Sequence, residues 1–426
     1  HLKIITDNSF RTGNGRLTLN IGWQQNLRRE FGEADTPEEE SLFFDLSTLS
    51  YNTALHFDDR NGWNTSVGLN GMVQDNNNRG AEVLIPEYGL FDIGGFVYAK
   101  KIRGRATFSG GARYDYRSLT AREFREGGDT RFARLNRSFY NLSGSAGVSY
   151  SVTDNFILKA NLARGFRAPS MPELSSNGTH EGTNRYEYGN KDLKSEISLQ
   201  TDAGMEVNSE HVLINAALFL NRINNFIYFR KLAGAGSQDS LVEVDGEFIP
   251  AFRFDQQAAS LYGGEVLVDI HPHPLDWLHW ENTFSYVRGL FRDETAGTRN
   301  VPYIPAARWT SELRGEFLPD GRTFRNLRVH MELQHTFSQD HPFTAYGTET
   351  ATAGYTLLNA GLSSHIMKHN RPLFSVYFNA TNLTDAAYQN HLSRLKYAAE
   401  NPVTGRQGVF NMGRNFSLRL NIPFSF

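Results

Sequence analysis

The chain has 426 residues, 43 Lys and Arg against 46 Asp and Glu for a formal net charge of −3, and no cysteine. A near-neutral chain has no basic field to neutralise phosphates, so nothing points to a nucleic-acid partner, and zero Cys excludes disulfides, thiolate metal sites, Fe–S clusters and cysteine nucleophiles. No run approaches the roughly 18 apolar residues of a membrane helix, which leaves open a crossing by strands of about 10 residues, half of them apolar.

The chain opens at His1 with no Met and no charged-then-apolar leader, as a processed product or a fragment would. From there the dominant signal is alternation with period two. Leu17, Leu19, Ile21 and Trp23 alternate with Thr18, Asn20, Gly22 and Gln24. Phe108, Ala112, Tyr114 and Tyr116 share one face, opposed by Thr107, Arg113 and Asp115. Ile197, Leu199, Met205 and Val207 share another, opposed by Ser198, Gln200, Asp202 and Glu206. Trp280, Phe284 and Tyr286 oppose Glu281, Thr283 and Ser285, and Val329, Met331 and Leu333 oppose Arg328, His330 and Glu332. At the C-terminus Phe416, Leu418, Leu420, Ile422, Phe424 and Phe426 alternate with Ser417, Arg419, Asn421, Pro423 and Ser425. A strand turns alternate side chains to opposite faces, so each run has one apolar and one polar face, whereas a helix would scatter Arg and Glu through its apolar stripe. About sixteen such strands are predicted, with a partial one over Leu2 to Phe10.

The connections alternate in length. Short turns carry turn residues, as at Asp58 to Gly62, Arg103-Gly104, Thr153 to Asn155, His271 to Pro274 and Pro319 to Gly321. Between them lie long polar segments near 26–41, 74–89, 118–137, 165–194, 230–257, 290–305, 338–353 and 383–413. Long meandering strands with long loops on one side only are the marks of a transmembrane antiparallel up-and-down β-barrel of the outer-membrane kind. Trp63, Tyr98, Tyr150, Trp277 and Trp309 fall near predicted strand ends, where interfacial girdles sit. A propeller or solenoid would show a repeat of roughly 40–50 residues, and none is present.

The stretch Ala163 to Ser170, containing Phe166-Arg167-Ala168-Pro169, is followed by Pro172-Glu173-Leu174 and then by Gly189 to Glu196. It resembles the paired FRAP and NPxL boxes of TonB-dependent outer-membrane receptors, with Lys191 where the second box usually has Pro. Phe378 to Asp385 resembles the penultimate-strand motif of that family, Tyr262 to Val266 its G-x-E strand, and the terminal strand its assembly signal. The resemblance implies a Gram-negative outer-membrane protein in lipid, coupled through a plug domain to the inner-membrane protein TonB, with a metal chelate as ligand. It also implies a barrel of about 22 strands. With sixteen to seventeen of them counted here and no plug or coupling box, residues 1–426 read as the C-terminal portion of such a barrel, unable by itself to carry out gated, energy-coupled uptake.

Two loops carry the candidate ligand-binding residues. Loop 165–194 offers His180, Glu181, Arg185, Tyr186 and Tyr188, and loop 383–413 offers His391, Arg394 and Tyr397. Arg and Tyr can hold an anionic, aromatic-rich chelate through charge-assisted bonds and stacking, so an iron–siderophore complex is the expected cargo. Haem is the nearest rival, because in haem receptors of the family a His between the two boxes is the expected ligand and His180 falls there. Zinc follows, since one His with Glu181 is short of its four ligands. The bland reading of the same residues is loop packing, with Arg164, Arg167 and Glu196 paired inside the wall. His271 and His273 flank prolines in a tight turn and read as turn residues. No catalytic residue, resident metal or cofactor is expected. There is no G-x-S-x-G or H-E-x-x-H motif, and Ser363, Ser364 and His365 are adjacent without forming a triad. A passive porin would share the wall but have no use for the boxes. The topology places Phe426 and the His271 turn at one rim and both rich loops at the other.

Overall fold

The computed structural model describes residues 1–31, 38–180, 185–234, 240–244 and 246–423. One sheet holds 21 of its strands. Four of these are short loop strands, Asn177–His180, Arg185–Tyr188, Leu241–Val244 and Thr298–Asn300, and the other seventeen build the wall. In chain order the wall strands are β1 (Leu2–Thr12), β2 (Gly15–Glu30), β3 (Leu42–Phe57), β4 (Trp63–Asn78), β5 (Tyr88–Arg103), β6 (Ala106–Ala121), β7 (Leu135–Thr153), β8 (Phe156–Arg167) and β9 (Glu196–Asn208). They continue with β10 (Val212–Lys231), β11 (Glu247–Ile270), β12 (Leu278–Thr295), β13 (Arg308–Phe317), β14 (Phe324–Thr336), β15 (Tyr355–Lys368), β16 (Arg371–Thr381) and β17 (Asn415–Asn421). Each pairs antiparallel with the next, and among the described residues no ladder joins β17 back to β1. The partial strand expected at the N-terminus is a full wall strand, registered from Leu2 against Gln25 to Thr12 against Gly15.

Register carries the apolar face across the wall. Leu69 lies opposite Gly95, which lies opposite Tyr114, which lies opposite Leu142. At the far end Leu362 faces Phe378 and Phe378 faces Leu418. Directly opposed residues point the same way, so these rows form one continuous apolar surface, the lipid face of a transmembrane barrel. The other face is polar and internally paired. Arg117 donates to Asp92 at 2.7 and 2.6 Å, and Arg113 bridges Asp115 and Asn70.

Several wall strands run further than their alternation shows. Segment 230–257 reads as a loop, yet β11 starts at Glu247 and β10 continues to Lys231. Beyond the lipid band neither face must be apolar, so the ladder persists where the period-two signal stops. The buried core follows these extensions. One cluster joins Leu42, Leu84, Leu119, Met171, Leu174 and Leu193, and a second joins Tyr228, Phe291, Val301 and Phe343. Both lie where strand ends and loops meet, since a single-sheet wall has no second layer to bury against.

In a meander of this kind every second connection falls on the same rim. The short turns, including 58–62, 209–211, 271–277 and 369–370, form one rim, and the long loops form the other. His180 and His273 are therefore on opposite rims. Phe426 lies outside the described residues; the last residue of β17, Asn421, pairs with Ser375 close to the 369–370 turn.

Candidate functional site

The loop rim is organised by the residues of the two boxes. Arg167, the last residue of β8, contacts both carboxylate oxygens of Glu173 at 2.8 Å and donates twice to Glu196 at 2.9 Å. Glu196 also accepts the Ile227 N–H at 2.6 Å, tying in β10. Glu173 reaches back to the Ser170 N–H at 2.8 Å and so fixes the five-residue helix Met171–Ser175. Arg164 stands apart from this clamp, with Nη1 buried and without a hydrogen-bond partner. An odd separation of three puts it on the opposite face from Arg167, so the two cannot share carboxylates. Gly189 brings the chain back against the helix; a Cβ there would lie 2.3 Å from the Ser175 nitrogen. In the loop after β16, Asn382 has a positive φ of 51°, and its side chain donates to the Ala386 carbonyl at 2.9 Å and accepts the Ala386 N–H at 2.8 Å.

Held by this frame, Asn177–His180 and Arg185–Tyr188 form a hairpin whose second strand lies parallel to Ala251–Arg253. His180 Nδ1 lies 2.8 Å from Glu187, and Arg185 Nε donates to the same oxygen at 2.7 Å. Glu187 is buried. Burial alone would raise its carboxyl pKa, but the His180 hydrogen bond and the Arg185 charge outweigh this and hold it below the ordinary value. The Arg185 guanidinium lies 4.2 Å from the centre of the Phe229 ring, which stacks on Phe252 at 5.0 Å. Tyr186 donates to Asn177 at 3.0 Å and packs on Tyr188 at 4.9 Å. Glu181 lies outside the described residues.

The residues of loop 383–413 gather around Glu349, from the loop after β14. Glu349 accepts the N–H groups of Tyr303 at 2.9 Å and Phe343 at 2.8 Å, and lies 3.5 Å from His391 Nε2. His391 Nδ1 contacts Thr352 at 2.9 Å, and Lys396 Nζ donates to that hydroxyl at 2.8 Å. His391 and Lys396 are buried. Arg394 Nη2 donates to the Tyr303 hydroxyl at 3.3 Å, and the Tyr397 hydroxyl accepts the Thr350 N–H at 3.0 Å. Tyr303 is the junction of the two loops. Burial, then the Glu349 charge, pushes its phenol up to about 12, while Arg185 of the other loop pulls it down. Neither Tyr303 nor Glu349 stood out in sequence: one sits between prolines in Val301-Pro302-Tyr303-Ile304-Pro305, the other is an isolated acid in a polar loop.

Residues 4–383 match the family described as TonB dependent receptor-like, beta-barrel. The chain belongs to that family. The ferric enterobactin receptor of Pseudomonas aeruginosa is 26% identical over an alignment of 171 residues that covers 38% of this chain and 22% of that protein. Among solved structures the copper transporter OprC superposes with a TM-score of 0.75 at 16% identity, covering 99% of this chain and 65% of its own. The FrpB iron transporter from Neisseria meningitidis (F3-3 variant) gives 0.70 at 14% identity, with 99% of this chain and 62% of its own. At such identities the structures show a shared fold, and this chain spans less than two thirds of either. For this TonB-dependent receptor barrel, the Arg167 clamp explains the two boxes as framework: they anchor the loop that carries His180 and Arg185. Chemically, the rim displays an unneutralised cation, Arg394, and buries another, Lys396. Among the described residues, neither the exposed Arg394 nor the buried Lys396 has a carboxylate partner.

Proposed function

We propose that residues 1–426 form the wall of a Gram-negative outer-membrane receptor that takes up an anionic metal chelate, with an iron–siderophore complex as cargo. The observation that carries this is Arg394, an exposed cation at the loop rim that donates to the Tyr303 hydroxyl and has no carboxylate partner among the described residues. The Tyr397 hydroxyl already accepts a backbone N–H, so its own hydrogen remains to donate. Arg394 and Tyr397 would meet the chelate first, and Tyr303 and Arg185 would extend the surface toward the other loop. Tyr186, Tyr188 and His391 support these groups from behind. The plug and the contact with TonB would belong to the remainder of such a receptor. The relative named as a ferric enterobactin receptor supports an iron–siderophore cargo. Haem remains the competing cargo, because a carboxylate on His180 Nδ1 is the arrangement that orients a ligating imidazole.

The test is binding of ferric enterobactin, haem and zinc ions to the complete receptor, measured separately. Arg394→Ala and Tyr397→Phe should each weaken the ferric chelate about tenfold, the scale of one charge-assisted bond, while His180→Ala leaves it unchanged. Haem or zinc binding that disappears with His180→Ala, in a receptor that never binds a ferric chelate, would overturn the proposal.

A further inference from the structure

The opposite rim carries a second constellation that the uptake reading does not use. Asp269 is the penultimate residue of β11, His271 follows that strand directly, and His279 is the second residue of β12. The ladder pairs Asp269 with Glu281 and Ile270 with Trp280, so its continuation sets His271 against His279. All three side chains then share the polar face, while Ile270 and Trp280 take the lipid face.

Their ligand atoms converge. Asp269 Oδ2 lies 3.1 Å from His279 Nδ1 and 3.9 Å from His271 Nδ1. The two imidazole centres are 5.6 Å apart, and one ligand atom from each of the three residues falls within a 4.8 Å group. Ligand atoms about 2.1 Å from a tetrahedral ion stand about 3.4 Å apart, and the measured separations bracket that value. Hydrogen bonding inside the protein leaves the group incomplete. His279 satisfies one oxygen of Asp269, but Asp269 Oδ1 and His271 Nδ1 are both buried without a hydrogen-bond partner. Buried polar atoms are ordinarily paired. A cation between the three residues would satisfy His271 Nδ1, and a carboxylate bound through both oxygens would satisfy Asp269 Oδ1 as well.

We propose that Asp269, His271 and His279 bind one divalent transition-metal ion of the zinc or copper(II) class, with the fourth position open to the barrel lumen. Two imidazoles and a carboxylate suit these ions, whereas magnesium and calcium call for a shell of oxygens. Glu281 and Arg314 flank the group on neighbouring strands, 3.9 Å from each other. Arg314 also lies 3.3 Å from Glu312 and 3.2 Å from Glu316, so carboxylates offset its charge. The His-Pro-His-Pro turn thus divides its two histidines. His271 joins the cluster, while His273 turns to Asp276 at 3.2 Å and to the His211 ring at 6.1 Å. The site joins the ends of two strands at the turn rim and does not depend on which cargo enters at the loop rim.

Copper(II) titrated into the complete receptor in detergent micelles tests this, read by electron paramagnetic resonance, with zinc chloride as competitor. The expected result is one ion per chain with hyperfine splitting from two imidazole nitrogens. His271→Ala and His279→Ala should each weaken binding tenfold or more, and His273→Ala should leave it unchanged. No stoichiometric binding, fewer than two nitrogens, or loss on His273→Ala would overturn the assignment, as would binding that survives both cluster substitutions. If the cluster variants fail to assemble, the nitrogen count in the His211→Ala/His273→Ala double variant decides: two supports the site, and fewer removes it.

Discussion

Arg167 shows how one side chain can fix a whole loop. It bonds Glu173 on the helix and Glu196 on β9, and Glu196 in turn holds Ile227 on β10. The guanidinium is partly exposed, so solvent screens part of each ion pair, but the two carboxylates are mostly buried and without Arg167 would keep only backbone and hydroxyl donors. Arg167→Ala should cost about 1–3 kcal/mol, read from unfolding of the detergent-solubilised protein. Arg167→Lys should recover little, since one ammonium cannot reproduce two forked contacts. Glu187 gives a pH dependence. Its carboxyl sits below the ordinary 4.5, so its contribution to holding the hairpin is fully present above that value and is lost as pH falls through the depressed pKa. Proteolysis between Asn177 and Tyr188 should therefore accelerate well below pH 4.5 and not at neutral pH. Glu187→Gln should open the hairpin at neutral pH and flatten that dependence.

At the scale of elements, the strands were legible wherever lipid imposes alternation. Phe416, Leu418 and Leu420 stand on the exposed apolar face of β17, as their period-two spacing requires, and Ile422, just past its end, is exposed too. Phe424 and Phe426 lie outside the described residues. The same rule fails above the lipid band, which is why the start of β11 at Glu247 and the hairpin strands of loop 165–194 were hidden. Their pairing is decided by neighbouring loops and not by an environment that repeats every two residues. The lipid face can be tested directly. Leu218 is among its most exposed members, 66% accessible and opposite Ala203. Leu218→Arg should destabilise the barrel by about 2–4 kcal/mol, the cost of Arg near the bilayer midplane, whereas Gln200→Arg on the polar face should cost far less. Equilibrium unfolding from lipid vesicles measures both, and equal costs would contradict the assignment of faces.

At the scale of the whole wall, residues 1–426 contain no cysteine, so single-cysteine variants in them make sidedness measurable. Thr404 is exposed in the loop after β16, and Asp276 is exposed in the turn before β12. In intact cells a membrane-impermeant maleimide should label Thr404→Cys and spare Asp276→Cys until the outer membrane is permeabilised. Labelling of both, or of Asp276→Cys alone, would reverse or dismiss the topology. The sequence by itself determined the architecture, because a bilayer dictates side-chain identity at alternate positions, and short turns and long loops declare the two rims. It also marked the loops that carry His180, Arg185, Arg394 and Tyr397. Only the tertiary structure decided which of these residues meet. Tyr303 and Glu349 join loops that lie far apart in the chain, and His271, two residues after Asp269, finds His279 across a ladder. Such contacts depend on register and loop packing, and no periodic constraint writes them into the sequence.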